Sequence, residues 1–184
     1  MDLNEGLTRR KFTRGNTTVL FDPKKIIREL CVYIRNTPYV VGCIAWFTNS
    51  KVLKTLERTR GCAFVVTKHK MAHIFKSTYD ELPKFDRHMP VRVVGNGRGV
   101  TKNLMHHKFV IGLDDRKRPV WVATGSFNIT KNAETNLENM MILDDTRIAH
   151  QFYEEFKRIR RISKPIASSR KSKSRRSQPS GSGT

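Results

Sequence analysis

Hydrophobic and polar positions along the 184-residue chain change period repeatedly, and the changes mark out an alternation of strands and helices. Thr17 to Phe21 is β-branched and apolar, a short strand closed by Asp22 and Pro23. From Pro23 the period becomes helical, with Ile26, Ile27, Leu30, Cys31 and Ile34 along one face and Lys24, Lys25, Arg28 and Glu29 elsewhere, until Pro38 ends it. Tyr39 to Trp46 is a near-continuous apolar run, the mark of a strand covered on both faces, and Ser50 to Arg60 reads as a helix capped by Asn49 or Ser50. Gly61 turns the chain into a second buried strand, Cys62 to Thr67, followed by a helix over Met71 to Phe85 and a strand at Val91 to Val94.

His107 to Leu113 and Val120 to Thr124 are apolar strands joined by a charged turn, Asp114 to Pro119. A short helix from Asn128, a strand Asn139 to Leu143 and an amphipathic helix from Thr146 complete the order. That last helix carries Ile148, Phe152, Phe156 and Ile159 on one face and Lys157, Arg158, Arg160 and Arg161 at its far end. This order predicts one α/β domain over residues 17–163, with a mixed, mostly parallel sheet flanked by helices on both faces. Residues 1–16 show no period and read as an N-terminal arm, and residues 164–184 as a disordered basic tail too poor in apolar side chains to fold. Gly95, Gly97 and Gly99 precede a strand instead of opening a helix, so they do not read as a dinucleotide loop.

Charge narrows the choice of partner. The chain has 36 Lys and Arg against 16 Asp and Glu, a formal charge of +20. Residues 164–184 hold six of the basic residues and no acidic one, so residues 1–163 keep about +14 by themselves. Such an excess favours a polyanion. Nucleic acid is the commonest, because each neutralised phosphate releases condensed counterions, and an anionic membrane surface is the competing reading. Cys31, Cys43 and Cys62 are too widely spaced to nucleate a zinc site and read as reduced and structural. No stretch reaches the roughly 20 apolar residues of a membrane span, and Met1 to Gly6 does not read as a secretory signal. A soluble cytoplasmic protein without integral membrane association is expected.

The chemistry concentrates in Leu104-Met-His-His-Lys-Phe-Val-Ile-Gly-Leu-Asp114 and, after the charged turn, Thr124-Gly-Ser-Phe-Asn-Ile-Thr130. In an extended strand alternate side chains share a face, so His106 and Lys108 point one way and His107 the other. Beyond Gly125 the chain is expected to enter its short helix, where Ser126, Asn128 and free backbone N–H groups can hold an anion. An imidazole, a fixed cation and an uncharged donor are what phosphoryl transfer needs, and no carboxylate cluster suited to Mg²⁺ accompanies them. A lone histidine in a strand is usually structural; the second motif is what raises the catalytic reading.

Together, H-x-K and G-S-x-N resemble the signature of the phospholipase D superfamily, above all its short single-motif endonucleases. Ala133-Glu-Thr-Asn-Leu-Glu-Asn139 adds to the resemblance, since those endonucleases place a Glu-Asn pair at a similar distance. The resemblance implies a phospholipase D-like sandwich, with His106 as nucleophile, Lys108 and Asn128 as phosphate ligands, Ser126 as a further support and Glu138 orienting a histidine. No cofactor or metal is implied. One departure stands out: the family's aspartate position is held here by Leu113, with Asp114 one place later, and a bulge at Gly112 would restore the geometry. Asp114 is therefore not counted catalytic. Because family members use two copies of the motif and this chain has one, the resemblance implies a homodimer with the site across its two-fold axis. The expected function is metal-independent endonucleolytic hydrolysis of DNA or RNA through a phosphohistidine. A cardiolipin-type phospholipid phosphodiesterase and a catalytically silent nucleic-acid-binding protein are the alternatives.

Overall fold

The computed structural model describes residues 11–95 and 104–167. The first ten residues, Gly97, Gly99 and the tail from residue 168 lie outside that range. The described chain starts with a hairpin, β1 (Lys11–Arg14) and β2 (Thr17–Leu20), turned at Gly15, whose φ of 54° is in the left-handed region that glycine tolerates. Residues 11–14 are thus a strand and not part of an arm; all four are exposed, which is why no hydrophobic period betrays them. Helix α1 (Pro23–Arg35) follows, its first turn capped by Asp22, whose carboxylate accepts from Lys24 N at 2.9 Å and Lys25 N at 3.3 Å.

The centre of the molecule is β3 (Tyr39–Ile44), helix α2 (Ser50–Leu56), β4 (Gly61–Thr67), the short helices α3 (Lys70–Ile74) and α4 (Lys76–Asp80), and β5 (Val91–Val94). Then come β6 (Lys108–Leu113), β7 (Pro119–Gly125), a 3-10 turn (Asn132–Thr135), β8 (Met140–Leu143), α5 (Thr146–Ile162) and β9 (Lys164–Pro165). Among the described residues the strands form one sheet in the order β1-β2-β8-β7-β6-β3-β4-β5-β9. It is mixed, as expected, but only β3–β4 and β4–β5 pair in parallel, so it is mostly antiparallel. The expectation of a mostly parallel sheet came from reading every strand–helix alternation as a crossover; the β6–β7 and β1–β2 hairpins and the returns of β8 and β9 are not crossovers.

Alternation along the central strands splits the core in two. Val40 and Ile44 of β3 pack with Ile26, Leu30 and Leu56 on the α1–α2 face, whereas Val41 and Cys43 pack with Phe156 and Ile159 of α5 on the other. All seven residues of β4 are buried, which explains their unbroken apolar run.

Three helices differ from their predicted spans for one reason: backbone groups are claimed by a neighbouring strand. Pro83 O accepts from Cys62 N at 2.8 Å and Phe85 N donates to Cys62 O at 3.3 Å, so residues 83–85 cannot extend a helix and the predicted Met71 to Phe85 element is two short ones. Likewise Arg60 N donates to Pro38 O at 2.8 Å, and α2 stops at Leu56. Ile129 O accepts from Thr48 N and Asn49 N, which ties Ile129 into a bridge with Phe47 and leaves only the 3-10 turn where a helix from Asn128 was predicted. At the far end, Lys164 and Pro165 pair with β5 and Ile166 is buried, so the packed chain runs a few residues into the stretch read as tail.

Candidate active site

The carboxyl ends of the parallel strands β3, β4 and β5 lie at one edge of the sheet, together with the start of β6 and the end of β7. That edge is where open α/β sheets collect reactive groups. Residues 104–107 are fastened there before β6 begins. Thr67 Oγ1 donates to Met105 O in a short bond, and Ala45 N donates to His107 O at 2.9 Å. Pinned on both sides, the segment keeps the strand alternation. His107 turns toward α5, with Nε2 3.3 Å from Glu155 Oε1, while His106 and Lys108 project from the other face.

Lys108 Nζ lies 3.2 Å from His106 Nδ1 and 3.3 Å from Nε2 and donates to His106 O at 2.9 Å. Partial burial lowers the pKa of its ammonium below the ordinary lysine range, and the Glu138 carboxylate opposes that fall. The ring of Trp46 meets the His106 imidazole edge-on, with centroids 5.6 Å apart.

At the end of β7, Gly125 lets β8 approach closely: a Cβ there would stand 2.2 Å from Asn139 O. Ser126 is held three ways, through Ser126 N to Asn139 O at 3.1 Å, Asn139 N to Ser126 Oγ at 3.0 Å, and a short bond from Ser126 Oγ to the Glu138 carboxylate. Asn128 sits between the fully buried Phe127 and Ile129, which fix its direction. Its Oδ1 is buried with no hydrogen-bond partner among the described residues.

Among the described residues no group of three or more His, Cys, Asp or Glu is placed to hold a metal ion. Two hollows matter. One, of about 900 Å³, lies at the opposite end of β6 and β7 beside Asp114, Arg118 and His150 and contains none of the candidate site residues. A smaller cleft of about 350 Å³ opens beside Asn128, between Trp46 and Lys131. Size does not mark the candidate site here; the His106–Lys108 pair does.

Residues 30–160 match the family described as cardiolipin synthase, PLD-like domain. The chain belongs to that family. As a phospholipase D-like protein it has a relative in an uncharacterized protein of Acanthamoeba polyphaga mimivirus, 27% identical over 168 residues. The match takes in 70% of this chain and 60% of the relative's length, so this chain spans less than two thirds of that protein. Its fold is shared with NucT from Helicobacter pylori, with a TM-score of 0.65 at 18% identity, over 82% of this chain and 98% of the other. It is also shared with the phospholipase D family member Nuc from Salmonella typhimurium, with a TM-score of 0.61 at 20% identity, over 83% and 98%. An archaeal chromatin protein, TrmBL2, superposes with a TM-score of 0.55 at 13% identity, over 89% of this chain and 59% of its own.

For this phospholipase D-like chain, then, the structure gathers His106 and Lys108 at one point, ties Ser126 to Glu138, and keeps Asn128 at the rim of the adjoining cleft. Glu138, implied as the orienter of a histidine, meets Ser126 in its own chain. Asp114 is elsewhere. It closes the β6–β7 turn, accepting from the backbone and guanidinium of Arg118, which hold its carboxyl below the usual range. The irregularity expected at Gly112 is present but falls on the partner strand: Gly112 pairs with Trp121 and Leu113 with Pro119, so Val120 is the extra residue. Gly112 is needed for another reason, since a Cβ there would run into the Trp121 indole at 2.0 Å. Trp46 and Thr67 were missed as site residues. Their signal was position: each lies at or just beyond the carboxyl end of a buried parallel strand.

Proposed function

We propose that the protein is a metal-independent phosphodiesterase that cuts nucleic acid through a phosphohistidine at a homodimer interface. The observation that carries this reading is the His106–Lys108 pair, an imidazole with an ammonium 3.2 Å away at the functional edge of the fold. Neutral His106 attacks phosphorus, forming an N–P bond, while protonated His106 of the partner subunit gives its proton to the leaving oxygen as the P–O bond breaks. Water then attacks, the partner subunit's His106 takes its proton, and the N–P bond breaks to free the product phosphate. Lys108 and Asn128 hold the phosphate oxygens throughout, supplying the electrostatic stabilisation that a metal supplies elsewhere. Ser126 keeps the loop in place through Glu138. Since the chain has one copy of the motif, the second histidine comes from a second chain.

Charge supports nucleic acid as substrate: +20 over the whole chain. The fold neighbours add weight, one being an archaeal chromatin protein whose structure shows a mode of DNA binding. The family description names cardiolipin synthase, which favours phospholipid as a second reading. One experiment separates them: plasmid, RNA and cardiolipin vesicles are each incubated with the protein in excess EDTA. Nucleic acid should be cut and cardiolipin spared. Cardiolipin hydrolysis with intact nucleic acid, binding without cleavage, or activity that returns only with Mg²⁺ would overturn the proposal.

A further inference from the structure

The 350 Å³ cleft is lined by Asn128 and by Trp46, whose ring meets the His106 imidazole edge-on, and apart from Asn128 it has no role in the steps above. Its volume falls at the low end of the roughly 300–1,000 Å³ of small-ligand sites, too small for a duplex and adequate for one nucleotide. Trp46, Thr48, Met71, Lys131 and Asn132 line it together with Asn128. The backbone that carries Trp46 is rigid. Ala45 and Phe47 on either side are buried, Ala45 N is bonded to His107 O, Thr48 N donates to Ile129 O at 2.8 Å, and the Phe47 ring packs on Phe64. Yet the indole is left partly exposed, whereas the other tryptophan, Trp121, is 4% exposed with Nε1 donating to Thr37 at 2.9 Å. A rigidly mounted aromatic face, side-chain amides and a lysine around a one-nucleotide hollow are the components that recognise an unpaired base and its phosphate.

We propose that this cleft is a nucleobase subsite, in which Trp46 stacks on the base next to the scissile phosphate and Lys131 meets a neighbouring phosphate. The inference deepens the nuclease reading and rests on it. It also selects the substrate class. A base inside a duplex is paired and stacked and must be extruded before it can enter, so single-stranded nucleic acid, or a locally unpaired stretch, is the preferred substrate.

Tryptophan fluorescence tests this without any bond being cut, because the chain has two tryptophans and Trp121 is buried. A nuclease-resistant phosphorothioate single strand should quench the emission, its duplex should quench far less, and Trp46→Phe should remove most of the response. In turnover assays, Trp46→Ala should lower kcat/KM on a single strand by roughly 5- to 150-fold, mainly through KM, with Trp46→Phe retaining most of the activity. On a strand of stable abasic residues the wild type and Trp46→Ala should differ little. Equal losses on base-bearing and abasic strands would make Trp46 a support for His106 alone and overturn the subsite. So would quenching by duplex as strong as by single strand, or stronger quenching by cardiolipin vesicles. Selective quenching by single strands in a protein that cuts nothing would overturn the nuclease reading and leave the subsite standing.

Discussion

At the level of single residues, two adjacent histidines have been given opposite surroundings by strand alternation. His106 meets Lys108 and Trp46, whereas His107 meets Glu155 and the Phe109 ring. His106→Ala should therefore abolish turnover while leaving nucleic-acid affinity in place, and His107→Ala should keep most of the activity, as measured by cleavage and gel-shift titrations in parallel. An equally dead His107→Ala would show that the imidazoles are misassigned. Lys108 offers a sharper test. Partial burial pushes its ammonium down and the Glu138 carboxylate holds it up, so Glu138→Gln should lower the Lys108 titration further. Following Nζ by NMR against pH would show it, and an unchanged midpoint would separate Glu138 from Lys108. The His106–Lys108 pairing was legible from sequence because period-2 alternation is a property of the backbone itself. Trp46 was not legible as a site residue, because an aromatic at the end of an apolar run looks the same whether it is buried or turned toward a reactive group. Nor could the route of Glu138 to Ser126 be read, since it depends on how closely Gly125 lets β8 approach.

Among the elements, the end of α5 shows how a basic run hides a structural residue. Lys157, Arg158, Arg160 and Arg161 look alike as favourable charges near a helix C-terminus. Yet Arg160 is buried, its Nη2 3.0 Å from Asp86 Oδ1 and 3.2 Å from Met89 O, and it fastens α5 to the loop before β5. Burial opposes ionisation of Asp86, but bonds from the Arg160 guanidinium and His88 N outweigh it and hold the carboxyl below its ordinary range. A depressed carboxyl contributes stability above its unfolded value and loses it as pH falls through the folded one. Asp86→Asn should accordingly cost about 1–3 kcal/mol at neutral pH, less than for a fully buried pair because Asp86 is one-third exposed. Urea unfolding at a series of pH values would show the gap between variant and wild type closing on acidification. A gap independent of pH would mean that the loss is one of packing and not of charge. Strand positions were readable because burial on one or two faces writes itself into the period. Helix ends were less so, being set by distant carbonyls such as Pro38 O, Pro83 O and Ile129 O.

Taken as a whole, the molecule joins a compact catalytic sheet to an excess of positive charge that the proposed reaction needs only in small part. The proposed reaction uses Lys108 at the scissile phosphate, which leaves the excess among the other 35 basic residues to supply sequence-independent affinity. If the site spans two chains, specific activity should fall as the protein is diluted through dimer dissociation, followed by light scattering or sedimentation. Full activity in an isolated monomer would remove the two-fold site. The tail carries the last test. Arg170, Lys171, Lys173, Arg175 and Arg176 stand within seven residues, with few apolar neighbours to bury. The packed chain runs through Ile166, so a cut at Lys164 would strip β9 from β5 and confuse stability with binding; the informative truncation removes residues 168–184. Each phosphate neutralised by such an arm adds affinity through counterion release without adding geometry at the scissile bond. Removing it should weaken nucleic-acid binding and lower the slope of log affinity against log salt by up to about 4 to 5, at roughly 0.9 for each duplex phosphate the arm no longer neutralises. Turnover of saturating substrate should stay within about twofold, because the tail enters none of the proposed chemical steps. An unchanged salt slope in the truncated protein would place the phosphate-binding groups that matter on residues 1–167, where Lys131 and the other basic residues would have to supply them.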